Sequence, residues 1–311
     1  MDFSSLKKQI KNHLPDIDVH LDHSLAPYTT LKIGGPADLF IHSTNPNQFI
    51  SLLKLLYKKN AYPITILGHG SNVLISDQGI RGIVIKNSGN DIKINSNNIH
   101  PLTAKVHLSS GTSLPYTIKY LNQKNLVGLE VFAYIPATIG GATHSNIHGV
   151  NKQNFSHFIN SVTIFDCKTG QLNTLKKDDL CWSYDHSIFQ QKTHLIITEV
   201  ILNLKKGNGK KAQKTATSII KEKTKVQPFN SAGCTFKNPS GQPAGLLIDQ
   251  LGLKGQTIGG AQVSPLHANF ITNTNKSTAK DYMKLVRLIQ QKVKTTTDIS
   301  LELEIKLLGK F

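Results

Sequence analysis

The chain has 311 residues, enough for two or three domains, and its composition (39% hydrophobic, 18% charged) is that of a globular protein. No apolar run approaches the roughly eighteen residues of a membrane helix. The start, Met1-Asp2-Phe3-Ser4-Ser5-Leu6-Lys7-Lys8, lacks a signal peptide's apolar centre, so a cytoplasmic protein with no membrane partner is expected. The net charge of +17 favours anionic partners; only Arg81 and Arg287 are arginines and no nucleic-acid module is recognisable, so it reads as a field that concentrates small anions.

The first residues predict an amphipathic helix. A second helix is expected from Asn45 to Asn60, with Asn45 as cap, Pro46 in the first position and Phe49, Leu52, Leu53 and Leu56 on one face. Strands are expected at Ile64 to Leu67, Val73 to Ser76 and Gly82 to Ile85, the first two separated by Gly68-His69-Gly70-Ser71-Asn72. From Lys93 to Leu204 short strands dominate, among them Val106 to Leu108, Val162 to Phe165 and Leu195 to Leu202. A helix near Leu114 to Gln123 and a glycine loop, Ile135 to Ala142, interrupt them. Eight lysines between Lys205 and Lys225, without interleaved aromatics, predict a solvated helix face and the best candidate boundary. Beyond it come a helix near Pro243 to Leu251, a strand near Asn269 to Thr272, a helix from Ser277 to Lys294, and a closing strand, Leu301 to Ile305.

Cys167, Cys181 and Cys234 are odd in number and form no C-x-x-C pair, which excludes a disulfide framework and a thiolate zinc site; no metal is expected. Cys234 lies in Ser231-Ala232-Gly233-Cys234-Thr235-Phe236-Lys237-Asn238-Pro239. A thiol with a reference pKa of about 8.5 still holds a proton to give near neutrality. Lys237 and Asn238 add a positive charge and an amide fork suited to phosphate and base contacts. Taken alone, a buried structural cysteine fits this motif better than chemistry does. Two glycine-bearing loops upstream change the balance, because consecutive backbone N–H groups can cradle a diphosphate. The Gly68 loop lies between strands and opens no helix, so it is not a Rossmann fingerprint.

These residues belong to a longer pattern. Tyr28-Thr29-Thr30-Leu31-Lys32-Ile33-Gly34-Gly35-Pro36-Ala37 and Leu67 to Leu74 resemble the flavin-binding half of the UDP-N-acetylenolpyruvoylglucosamine reductase (MurB) family. Gly128-Leu129-Glu130, Ile135 to Ala142, Asn146, Ser231 to Pro239, Gly252 to Gly255, Ile258 to Ala261, His267 to Ile271 and Leu301 to Ile305 continue the resemblance in order. The short interval from Asp185 to Cys234 is similar to the family's shorter branch. The resemblance implies an α+β protein: a two-subdomain FAD-binding unit of the vanillyl-alcohol-oxidase/PCMH type, residues 1–86 and 87–204, and a C-terminal α/β substrate domain, 205–311. FAD would be held noncovalently by Gly34, Gly35, Gly68, His69, Gly70, Ser71, Asn72, Pro136, Thr138, Gly140, Gly141, Ala142 and Asn146.

NADPH would supply hydride for the enolpyruvyl double bond of a sugar nucleotide in peptidoglycan precursor synthesis. By position Cys234 would be the proton donor, where many relatives carry serine, and Glu304 the catalytic glutamate. Tyr184, Lys237, Asn238 and His267 would contact substrate, and the protein would be a monomer or weak dimer. Three positions depart from the pattern. Tyr184-Asp185-His186-Ser187 puts an acid where the family has arginine, with His186 the nearest candidate for part of that charge. Ala137 replaces a usual glycine, and Asn146-Ile147-His148-Gly149-Val150 follows the family only in part. Two rival readings are an FAD oxidoreductase acting on another sugar or alcohol (or a weakly active homologue), and a basic nucleic-acid-binding protein.

Overall fold

The computed structural model describes residues 2–57, 62–95, 101–239 and 241–311. The chain divides into two interleaved units, one of Met1–His20, Ile41–Gly68 and Ile85–Lys221, the other of Leu21–Phe40, His69–Val84 and Glu222–Phe311.

The first unit is built on an antiparallel sheet in the order Gln171–Lys176, Ile159–Asp166, Leu195–Lys206, Thr103–Ser109, Ile92–Ile94, with Leu126–Val127 pairing at the far end of Leu195–Lys206. Its register sets Val200 opposite both Leu108 and Val162, and all three are fully buried. The strand period of two therefore turns one face of the sheet into core. Helix Leu114–Gln123 covers that core with Leu114, Ile118 and Leu121, the spacing the sequence predicts. Helix Pro46–Tyr57 buries Phe49, Leu52, Leu53 and Leu56, as expected, and Asn45 caps it; positions 58–60 of the expected segment lie outside the described residues. The N-terminal helix is Phe3–His13, capped by Asp2.

In the second unit a three-stranded antiparallel sheet (Thr257–Ile258, Ala261–Val263, Ile271–Asn273) packs with helices Ala244–Gln250 and Ala279–Thr297. Thr278 and Asp281 form a reciprocal capping box at the start of the longer helix. Asp77 adds a cap from far along the chain, accepting the N–H groups of Ala279 at 2.7 Å and Lys280 at 3.0 Å. Strand Val73–Ile75 pairs in parallel with Lys306–Leu308. A four-stranded sheet takes the order Asp18–Ser24, Pro36–Ser43, Ile80–Asn87, Ile64–Leu67.

Three expectations need correction. Leu301 to Ile305 alternates correctly, with Leu301 and Ile305 buried, but makes a single bridge, Leu303 to Phe236; its partner segment is too short for a strand, and regular pairing starts at Lys306. The strand expected from Asn269 begins at Ile271, because the Asn269 carbonyl accepts the Thr235 N–H at 2.7 Å. The second glycine cluster is a helix, Ile139–Ser145, and not a loop: Thr138 caps it, accepting the Gly141 N–H at 3.1 Å, and Ile139, Ala142 and Thr143 are buried. Packing outweighs the poor helix propensity of two glycines. The lysine-rich stretch is helix Gly209–Val226, which buries only Gly209, Ala212 and Ala216 and leaves its lysines, apart from the half-buried Lys223, in solvent. Among the described residues no helix is long and apolar enough to cross a membrane.

Candidate active site

The expected thiol sits on a turn fixed from three sides. Gly233 has φ +80° and a Cβ there would meet nothing within 4 Å, so its backbone conformation is what demands glycine. Thr235 and Phe236, directly after Cys234, are buried. The buried Asn269 side chain clamps Phe236, accepting its N–H at 3.0 Å and donating to its carbonyl at 2.8 Å. Thr235 Oγ1 lies 3.1 Å from the Tyr282 hydroxyl, whose pKa is pushed up by burial. The Glu304 N–H donates to the Thr235 carbonyl at 2.9 Å, which sets the half-buried Glu304 and Cys234 on neighbouring stretches of backbone.

Two further bonds tie this turn to the first glycine loop. Thr30 donates its N–H to the Gly70 carbonyl at 3.1 Å and its hydroxyl to the Ser231 carbonyl at 2.6 Å. At the loop's other end the Lys306 N–H donates to the Asn72 carbonyl at 3.0 Å, two residues beyond Glu304. Gly70 has φ +64°, and a Cβ there would lie 2.3 Å from the Tyr28 carbonyl oxygen. His69, Ser71 and Asn72 are half-buried on the same loop. Gly34 and Gly35 pack on Ile75 and Asp77, so chain packing alone accounts for their identity.

Of the polar residues nearby, Lys237 is exposed and pairs with Glu302 at 3.1 Å. Its charge is thus partly engaged away from the thiol. Asn238 Oδ1 accepts the Ala244 N–H at 3.0 Å, which caps helix Ala244–Gln250 and leaves the amide NH2 as a donor. His267 Nδ1 accepts the Asn269 N–H at 3.2 Å, so the neutral ring carries its proton on Nε2. Burial first, then Lys254 and Lys223, lowers the His267 pKa.

The remaining expected residues lie in the first unit. Gly68 abuts Thr138: a Cβ on Gly68 would lie 2.6 Å from Thr138 Oγ1. Pro136 and Gly141 are exposed, and a Cβ on Gly141 would meet only Thr138 Oγ1, at 3.2 Å. Gly140 differs; its Cβ would lie 2.8 Å from that of Ser110, so its glycine admits a neighbouring chain and not a ligand. Ala142 and Asn146 are buried. Asn146 donates to the Ser183 carbonyl at 2.7 Å, and Ser187 to the His144 carbonyl at 2.6 Å, which fastens the Ser183–His186 turn to the end of helix Ile139–Ser145. Tyr184 stands at the tip of that turn, 57% exposed.

Asp185 has φ +50°, a costly conformation for a residue with a Cβ. The His148 Nδ1–H donates to its carboxylate at 2.8 Å, and His148 Nε2 then accepts from the Tyr184 hydroxyl at 3.3 Å. The two rings stack at 4.8 Å. His148, not His186, is therefore the imidazole that meets Asp185; His186 accepts from Gln191 Nε2 at 3.2 Å. Lys86, buried on strand Ile80–Asn87, donates to the Gly68 carbonyl.

Known proteins decide what this arrangement belongs to. A family model described as FAD binding domain matches residues 37–176, and one described as UDP-N-acetylenolpyruvoylglucosamine reductase, C-terminal domain, matches 224–308. The UDP-N-acetylenolpyruvoylglucosamine reductase of Clostridium kluyveri is 33% identical over 99% of this chain and 98% of its own length. The chain belongs to that reductase family. Its member from Prochlorococcus marinus subsp. pastoris is 36% identical over 92% of this chain and 95% of its own. The solved MurB structure from Thermus caldophilus, 30% identical, superposes with a TM-score of 0.75 over 94% of this chain and 99% of that one.

The chain is accordingly an FAD-dependent oxidoreductase with the α+β flavin-binding architecture that the sequence implies. Its own residues fit that cofactor. Gly141 offers bare backbone, and Lys86 offers a cation with no carboxylate beside it among the described residues. Four contributors went unread in the sequence: Thr30 and Asn269, which stood inside quoted motifs without a role, His148, noted only as a departure, and Lys86. Lys86 had a visible signal, a charge ending the apolar run Gly82 to Ile85.

Proposed function

We propose that this chain reduces the enolpyruvyl double bond of UDP-N-acetylglucosamine enolpyruvate, giving UDP-N-acetylmuramate for peptidoglycan precursor synthesis, with NADPH as the source of hydride. FAD, when bound, supplies the hydride-transfer chemistry that no side chain can. The observation that carries the reading is the joining of three stretches far apart in sequence. Thr30 links the Gly70 loop to Ser231, Thr235 links the Cys234 turn to Glu304, and Asn72 links the loop to Lys306.

Hydride addition leaves a carbanion beside a carboxylate, and that centre needs a proton. Cys234 is the donor, on a turn that Asn269 and Gly233 hold in one geometry. Glu304, protonated, donates a hydrogen bond to the substrate carboxylate as charge develops there; ionised, it would repel that charge. Lys237, the Asn238 amide NH2 and His267 Nε2–H are the donors for the sugar nucleotide, and the family resemblance makes Tyr184 a further substrate contact. Functionally, residues 1–86 and 87–204 serve the flavin, Tyr184 excepted, and 205–311 the substrate.

The test is to purify the protein, record its visible spectrum, and follow NADPH oxidation with and without the enolpyruvyl nucleotide. A yellow protein whose NADPH consumption depends on that nucleotide supports the reading. A colourless protein, or one equally active on simple sugars or alcohols, contradicts it.

A further inference from the structure

Lys86 is 9% exposed on strand Ile80–Asn87. Its ammonium donates to the Gly68 carbonyl and, among the described residues, pairs with no carboxylate. Burial pulls its pKa down to about 8, with no opposite charge to raise it. A lone buried ammonium is costly, and a fold keeps one where a partner arrives from outside. The neighbouring strands do not provide that partner. Ile64–Leu67 carries no titratable group. Pro36–Ser43 brings His42, 3.0 Å from Ser88 Oγ, whose pKa is lowered by burial first and Lys86 second, with Asp18 acting in the opposite sense. His42 is neutral where Lys86 titrates, so it supplies no negative charge.

Gly68 opens the glycine loop and abuts Thr138, both among the residues the family pattern assigns to the flavin. We infer that Lys86 is the countercharge for the diphosphate of FAD, a positioning residue that acts through the Gly68 carbonyl. By drawing that oxygen to itself it keeps the carbonyl dipole from opposing the diphosphate, and its charge favours the anion. The inference rests on reading Gly68 and Thr138 as flavin residues. The sugar nucleotide also carries a diphosphate, so the experiment must separate the two.

Flavin-stripped protein is titrated with FAD by fluorescence, and separately with UDP, comparing wild type with Lys86→Met and Lys86→Arg. At about pH 7 Lys86→Met weakens FAD binding by about tenfold or more, as expected for loss of a charged hydrogen-bonding partner, and Lys86→Arg recovers most of it. Wild-type affinity falls as pH rises above about 8, because only the ammonium form compensates the anion; the Lys86→Met profile is flat there. Flavin-free Lys86→Met melts at or above the wild-type temperature, since an uncompensated buried charge is gone. FAD affinity within about twofold of wild type in Lys86→Met, or a flavin-free Lys86→Met that melts well below wild type, overturns the inference. Loss of UDP binding with FAD binding intact also overturns it, assigning Lys86 to substrate. A wild-type chain that takes up no FAD contradicts the cofactor reading itself, a distinct failure.

Discussion

A carboxylate beside an imidazole fixes the ring's tautomer and tilt, and Asp185 does this to His148 across 2.8 Å. The acid that stands where the resemblance implies an arginine is therefore not a bare charge of the wrong sign; it is matched to a histidine just past helix Ile139–Ser145, which in turn supports the Tyr184 ring. His148→Gln and Asp185→Asn should each raise KM for the sugar nucleotide several-fold with little change in kcat, since they loosen Tyr184 without touching the thiol. Steady-state kinetics with unchanged KM in both variants would remove the pair from substrate binding. His267 gives a second test, by pH. Its folded pKa is lowered by burial, so below the unfolded value near 6.5 the unfolded chain binds more protons than the folded one. Stability is fully present above that value and is lost as pH falls through the folded pKa. Thermal midpoints of wild type should drop on acidification below about pH 6.5, and His267→Gln should drop less.

At the scale of elements, the turn that carries Cys234 depends on one buried amide. Asn269→Ala strands the Phe236 N–H and carbonyl, and should cost about 2–4 kcal/mol in urea unfolding while lowering kcat. A loss below about 0.5 kcal/mol would show that water satisfies both groups. This dependence was not legible from the sequence, whereas the motif it serves was. Gly233 and Cys234 announce themselves locally, through a residue type that a positive φ demands. Thr30 acts on Ser231, 201 positions away, and Asn269 on Phe236, 33 positions away, so neither role leaves a local trace. Helix Leu114–Gln123 was readable because its own spacing selects its buried face. Ile139–Ser145 was not, because two glycines argue against a helix that capping and packing nevertheless impose. The alternation of Leu301 to Ile305 correctly gives which side chains face inward, but pairing partners are a tertiary property.

Across the whole molecule the surplus of 36 basic over 19 acidic residues acts on encounter more than on chemistry. For a nucleotide substrate that carries a diphosphate and a carboxylate, kcat/KM should fall as ionic strength rises to physiological values while kcat barely moves; a salt-independent kcat/KM would mean the charge does not steer substrate. The central claim concerns the thiol, placed beside Glu304 and tied through Thr30 to the glycine loop. It is tested most directly by anaerobic single turnover: enzyme reduced with one equivalent of NADPH is mixed with the enolpyruvyl nucleotide, and return of the flavin colour is timed in wild type, Cys234→Ser and Cys234→Ala. The account predicts that Cys234→Ser stays within about tenfold of wild type and that Cys234→Ala slows by about 10²–10⁴-fold, the usual worth of a general acid. Equal rates in the two variants would contradict it.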